Sequence, residues 1–401
     1  MNSKNVYQKT VYACFIGYIV QAIVNNFVPL LFVTFQLQYH IPLSKITMLI
    51  TVNFVLQLVI DLLSVVFVDK VGYRISTIFA HVCVGLGLIL LTVLPDVLRD
   101  PFWGIFLAVL VYAVGGGLLE VLVSPIVEAC PTDNKEKAMS LLHSFYCWGH
   151  VGVVLCSTLF FTLIGIQHWK ILAVLWSIIP ALNAVFFSKV PIAELNEIGE
   201  KGLTLKELIR KKIFWVFILI MMCAGACEQS VSQWASVFAE KGLGVSKTIG
   251  DLAGPMMFAV FMGLSRAFYG KYGEKIKLEK FMIYSGILCI VSYLLISFVP
   301  ISAIGFVGCG LCGLSVGILW PGTFSMAAAS VRGGGTAMFA LLALAGDLGC
   351  SLGPGIVGTV SGYFGDNLKM GIFAAVIFPV LLMIGIIWNK QIEQADSHIN
   401  L

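Results

Sequence analysis

Charge is what this sequence has least of. Only 11% of its 401 residues are Asp, Glu, Lys or Arg, against about 25% in an ordinary soluble domain. No acid occurs before Asp61, and none of the four charged types occurs in the 51 residues from Phe281 to Val331. A soluble chain of this size has no core large enough to hide the 59% of its residues that are hydrophobic. Soluble enzymes, disordered hubs and nucleic-acid binders are therefore excluded, and the net charge of +4 is too small to argue otherwise. Also missing are a phosphate-binding loop, a nucleophile elbow and a cluster of metal ligands, so neither an enzyme nor a metal site is expected. Eleven cysteines are present, but most sit inside apolar runs rather than in loops, where a disulfide framework would be found. Cys309-x-x-Cys312 lies among glycines with no histidine nearby, which suits packing. The first apolar run is too long for a cleavable signal.

What the sequence does have is hydrophobic length. The mean hydropathy is +0.96, and about 20 apolar residues cross a bilayer. Twelve segments of that kind can be read off, at 10–37, 46–68, 75–95, 102–130, 137–165, 168–188, 213–239, 248–270, 279–299, 302–330, 335–364 and 369–389. The expected fold is an all-α integral membrane protein with twelve transmembrane helices. Residues 189–212 are rich in charge and divide the chain into an N-terminal bundle, 1–188, and a C-terminal bundle, 213–401.

Basic residues orient the helices. With both termini cytoplasmic, 19 of the 25 Lys and Arg fall inside, and only Lys45, Arg99, Lys170, Lys241, Lys247 and Lys369 fall outside. A multi-pass protein of the plasma (inner) membrane is expected. An internal repeat supports the division: Asp69-Lys-Val-Gly-Tyr-Arg74 follows the second helix, and Gly270-Lys-Tyr-Gly-Glu-Lys275 follows the eighth. Lys70 and Lys271, like Gly72 and Gly273, lie 201 positions apart. Repeated halves around a central site are a transporter architecture.

With Asp69, Lys70, Gly72 and Arg74 in that loop, the chain resembles the major facilitator superfamily, although Val65 and Tyr73 depart from its usual pattern. The resemblance implies two six-helix pseudo-repeated bundles around a central cavity. It also implies a conformational latch formed by Asp69, Lys70, Gly72 and Arg74, and we group Asp61 and Arg266 with it. Asn53, Gln57 and Asp61 form a stripe at i, i+4 and i+8 on the second helix, expected to meet the eleventh helix or Arg266.

Carboxylates at membrane depth cost about 2.5–3.5 kcal/mol each on insertion scales and call for a partner or a purpose. Glu120, Glu228 and Asp347 are such residues, and no Lys or Arg is expected at comparable depth except Arg266, toward the inner end of the eighth helix. A carboxyl group that takes up a proton when shielded and releases it when wetted suits proton coupling; the other reading is a neutral acid bonded to a neighbouring helix. Gly117-Leu-Leu-Glu-Val-Leu-Val-Ser-Pro-Ile126 resembles the fourth helix of the fucose permease type, whose Glu contacts sugar or couples protons. Ala224-Gly-Ala-Cys-Glu-Gln-Ser-Val-Ser-Gln-Trp234 resembles that type's seventh helix. The essential acid of that type's first helix has no counterpart here.

Substrate contacts are expected from Gln21, Asn25, Asn26, Glu120, His143, Trp148, Glu228, Gln229, Gln233, Trp234 and Trp320. Amides and carboxylates bond hydroxyls, while aromatic rings cover the C–H faces of sugars. Trp320-Pro321 resembles a family bend point, and Gly349-x-x-x-Gly353 marks a close helix contact. The function expected is secondary active transport of a small neutral polar solute, a sugar, by proton symport and alternating access. The alternative is proton-coupled efflux of drugs or metabolites. The coupling ion is a proton, with sodium the other ion such oxygens bind. No other cofactor is expected, nor any partner beyond solute and lipid, and a monomer is the expected state.

Overall fold

Without water to satisfy an exposed backbone, a chain this apolar pairs its N–H and C=O groups internally, and helices do so within one segment. The computed structural model describes residues 3–131, 135–192, 203, 205–331 and 334–399, and among them there are helices and no strands. The middle of the charged linker and the side chains of Asp69 and Lys271 lie outside the described residues.

Among the described residues, twelve helices are long and apolar enough to span a membrane: α1 (Tyr7–Tyr39), α2 (Leu43–Ser64), α3 (Tyr73–Val97), α4 (Pro101–Val127), α5 (Leu141–Leu163), α6 (Ile166–Lys189), α7 (Lys212–Gly242), α8 (Lys247–Tyr269), α9 (Leu278–Phe298), α10 (Ser302–Ser330), α11 (Met338–Tyr363) and α12 (Leu368–Ile392). Their ends agree with the sequence reading to within about four residues. The chain forms two compact units. One is Met1–Glu197 with Val245–Leu252, and the other is Ile198–Gly244 with Ala253–Leu401.

Several spans are broken, two of them at prolines. The first helical run of α1 ends at Asn26, and a 3-10 turn over Val28–Leu31 contains Pro29, which has no N–H to continue an α-helix. In α7, the regular helix ends at Ser232, and a π-helical turn occupies Phe238–Gly242. In α8 another π-helical turn, Leu252–Met256, contains Pro255. The regular helix of α10 ends at Val316 and restarts at Leu319, so the break precedes the expected bend at Trp320-Pro321.

The helix beginning α2 runs to Val71, and that of α3 starts at Tyr73. Gly72 joins them with φ +89°, a conformation that disfavours any side chain. A Cβ there would meet no atom within 4 Å. The requirement for glycine is conformational.

Helix approach is set by glycines. On α4, consecutive residues point about 100° apart, so the triplet Gly115-Gly116-Gly117 opens three directions at once. A Cβ at Gly115 would overlap the Ala80 carbonyl on α3. At Gly116 it would lie 2.9 Å from Val24 on α1, and at Gly117 2.9 Å from the Cα of Gln57 on α2. In the second unit, Gly349 and Gly353 of α11 pack against the backbone of α7 at Met222 and Ala226. That seam is the close contact expected from their spacing.

Candidate substrate and coupling sites

The close approach around α4 sets Glu120 one turn beyond the glycine triplet, beside α1 and α2. Gln21 Nε2 donates to Glu120 Oε2 at 3.0 Å and to Gln57 Oε1 at 3.1 Å. Gln57 Nε2 donates to Asn25 Oδ1 at 3.0 Å, and Asn53 Nδ2 reaches the same oxygen at 3.3 Å. Glu120, Gln21, Gln57, Asn25 and Asn53 thus form one continuous polar chain across three helices. Its four amides are buried, and Glu120 is half-buried. Asn53 and Gln57, read from the sequence as part of a conformational stripe, are the links that carry this network. Asp61, one turn further along that stripe, is also buried.

Asn26 does not join the network. Its Nδ2 donates to the Ala22 carbonyl at 2.9 Å, so its amide closes on its own helix at the break in α1. On α5, His143 and Trp148 are exposed while Cys147 and His150 are buried. The His143 ring lies 5.3 Å from that of Tyr18, whose hydroxyl is 3.0 Å from Ser124 Oγ on α4.

The second unit has a different arrangement. Glu228 is buried, and its Oε2 is 3.5 Å from Arg266 Nη2 on α8. Arg266, the one cation expected near this depth, is thus the partner of Glu228, and the proton-coupling reading of an acid without a cation does not hold at this residue. Arg266 Nε also donates to the Gly317 carbonyl at 3.2 Å, at the break in α10 where regular helical bonding lapses. Gln229 Nε2 approaches Glu228 Oε1 at 3.4 Å, and Gln233 Nε2 donates to Gln229 Oε1 at 3.0 Å.

Trp234 is fully buried, and its indole N–H donates to the Pro354 carbonyl on α11 at 3.0 Å. In this structure its ring seals the α7–α11 seam and offers no open platform, contrary to the sequence reading. Asp347 is buried on α11 beside Gly346, and a Cβ at Gly346 would overlap the Trp320 ring. Trp320 therefore packs one residue from Asp347.

In the loop after α2, Arg74 Nη1 donates to the carbonyls of Phe187 and Ser188 at 2.8 and 3.0 Å. These are last-turn carbonyls of α6, which have no intrahelical donors and favour a nearby cation. Lys70 is exposed.

Two polar sites escaped the sequence reading. Lys247 at the start of α8 pairs with Asp251 Oδ2 at 3.1 Å and donates to the Leu30 carbonyl at 2.5 Å, at the α1 break. Thr158 of α5 reaches the same carboxylate at 3.5 Å. The i, i+4 spacing of Lys247 and Asp251 was a visible signal. The other site joins α3 to α6: His81 lies 2.7 Å from both the Thr77 carbonyl and Asn183 Nδ2. Nothing in local spacing marks that pair.

Twelve apolar spans with polar networks buried between them define a polytopic membrane protein of the transporter class. The family model of the Major Facilitator Superfamily matches residues 14–354, and the chain belongs to that family. It is a transporter and not an enzyme. A search of curated proteins returns no match. Among solved structures, the Escherichia coli fucose:proton symporter FucP is similar over 96% of this chain and 99% of its own, at 16% identity and a TM-score of 0.66. A bacterial homolog of the human lysosomal transporter Spinster, inward-facing and unoccupied, covers 97% and 98% at 13% identity and 0.76. A D-xylose-proton symporter covers 96% and 97% at 13% identity and 0.74.

Proposed function

We propose that this transporter moves a small neutral polar solute, a sugar, across the plasma (inner) membrane by proton symport and alternating access. The observation that carries the reading is the Glu120–Gln21–Gln57–Asn25–Asn53 chain. Neutral amides with both donors and acceptors suit hydroxyl groups, and the carboxylate at one end of the chain is a group that can take up and release a proton. Two of the structural neighbours are named as sugar:proton symporters, which agrees with this choice. The sequence repeat makes residues 1–188 and 213–401 the two halves that rock, joined by 189–212. The excess of basic residues on one side supports cytoplasmic termini.

Glu120 is assigned the coupling proton, with Glu228 and Asp347 as further carboxylates in the cycle. A proton taken up at Glu228 leaves the Arg266 charge facing a neutral acid. At Glu120, the bonded Gln21 is uncharged, so proton uptake there disturbs less. The sugar contacts are assigned to Gln21, Asn25 and Glu120 in the first half and to Gln229 and Gln233 in the second.

The test is transport in proteoliposomes with an imposed proton gradient. Glu120→Gln is expected to abolish uphill accumulation while sugar exchange across the membrane persists. Normal accumulation by that variant overturns the coupling assignment. Stabilisation of the purified protein by amphipathic cations, and by no sugar, overturns the solute class in favour of efflux.

A further inference from the structure

The first unit also carries a cavity lined by none of the amide-network residues. It is a groove of about 630 Å³ between α3 and α6, lined by residues from Ile78 to Ile89 on one side and Ser177 to Ser188 on the other. Small residues make its floor. Gly85 has no side chain to fill the gap, and a Cβ there would lie 3.6 Å from the Ser177 carbonyl. Aliphatic side chains make its walls, and Val82, Leu86, Leu182 and Val185 are exposed along it.

The polar groups in this groove are turned away from it. The hydroxyls of Ser177 and Ser188 donate to the carbonyls of Val174 and Val185. Both ring nitrogens of His81 are engaged, with Thr77 and Asn183. What remains is a hydrocarbon channel on membrane spans, and the medium around such spans is acyl chains. Ile78 to Ile89 rises about 16 Å at 1.5 Å per residue, close to the depth of one leaflet, about half of a 30 Å hydrocarbon core.

Beyond the Ile89 end of the channel Lys170 pairs with Asp96, whereas cations gather at the Ser188 end. Arg74 is anchored there through Nη1, on Phe187 and Ser188. Lys189 follows Ser188 and is exposed. Lys70, also exposed, adds a third cation close to Arg74 in sequence.

We propose that this groove binds an anionic glycerophospholipid, with one acyl chain between α3 and α6 and the phosphate on Arg74 and Lys189. Groove length fits the chain, and the charge at the Ser188 end fits the headgroup, since basic pockets between spans select anionic lipids. This site is independent of the transported solute.

Native mass spectrometry of the full-length protein, given equal amounts of dioleoyl-phosphatidylglycerol and dioleoyl-phosphatidylcholine, tests the proposal. The wild type is expected to retain phosphatidylglycerol in preference. Lys189→Glu should cut that preference about fivefold or more, the effect of roughly one basic residue at a membrane surface. Ala181→Phe, on an exposed groove position, should lower retention of both lipids by filling the channel. Equal retention of the two lipids by the wild type overturns the headgroup assignment. Retention unchanged in Ala181→Phe, with the thermal midpoint unchanged, overturns the groove.

Discussion

In the first unit, Glu120 bonds to the neutral amide of Gln21, and the polarity is passed on through Gln57 to Asn25 and Asn53. In the second, Glu228 lies against the guanidinium of Arg266, which also holds the Gly317 carbonyl. Both arrangements keep a carboxylate at membrane depth, but they spread the cost differently. An amide chain distributes it over several bonds of modest strength, each worth about 0.5–1.5 kcal/mol net. An ion pair concentrates it in two desolvated charges whose value depends on both being present. A site that must change protonation during its cycle suits the first design. A joint that must hold two helices at a break in a third suits the second.

The largest effect that would break this comparison lies at the ion pair. Arg266→Gln leaves Glu228 buried without that cation, and loss of one partner of a buried pair costs about 3–5 kcal/mol. Thermal unfolding of the purified protein should show a large fall for Arg266→Gln and for Glu228→Gln. The double variant should fall less than the two single losses combined, because no charge is then stranded. If the losses simply add, Glu228 and Arg266 are not acting as a pair.

A smaller effect sharpens the other side. Gln57→Leu removes the link between Gln21 and Asn25, yet Gln21 still reaches Glu120, and Asn25 still accepts from Asn53. The stability cost should stay near 1–2 kcal/mol, below that of Arg266→Gln. Apparent affinity for the solute should fall severalfold, because the two amides it positioned lose their orientation. A variant with normal affinity and a large stability loss would make the network structural only.

Much of the fold was legible because membrane spans are long, apolar and nearly free of charge. Twelve segments follow from hydropathy. A close contact on α11 follows from glycines four apart, although its partner α7 does not, and the positive φ of Gly72 came only with the structure. Glu120 stood out as an acid just past three glycines. The partners were harder to see. Periodicity tells which residues share a face, but not which neighbouring helix that face meets. Arg266 is 38 positions from Glu228 on another helix, so their pairing left no local trace. Trp234 looked like a sugar platform because an aromatic ring near amides fits either an open site or a packed seam. The Pro354 carbonyl, 120 residues away, made it the latter. Asn26 and Asn25 are chemically identical neighbours pointing about 100° apart on α1; Asn25, four residues from Gln21, faces the network, while Asn26 turns back to Ala22.

The smallest effect tests whether burial, rather than charge alone, makes the Glu228–Arg266 pair costly to break. Lys45 and Asp100 form a comparable ion pair at 3.1 Å, but both side chains are well exposed. Asp100 also caps α4 through the Phe102 amide at 3.0 Å. That backbone bond first, and then Lys45, hold its carboxyl below the usual aspartate range. A depressed folded-state value means that the stabilisation is present above the unfolded value, about 3.9, and is lost as pH falls through the folded one. Lys45→Ala should therefore leave the thermal midpoint nearly unchanged at pH 7, as exposed pairs are worth little. Asp100→Ala should show a slightly larger loss that is constant from pH 7 to about 5 and shrinks only below about 4. A loss at Lys45 matching that at Arg266 would mean that depth does not set the cost of separating these charges.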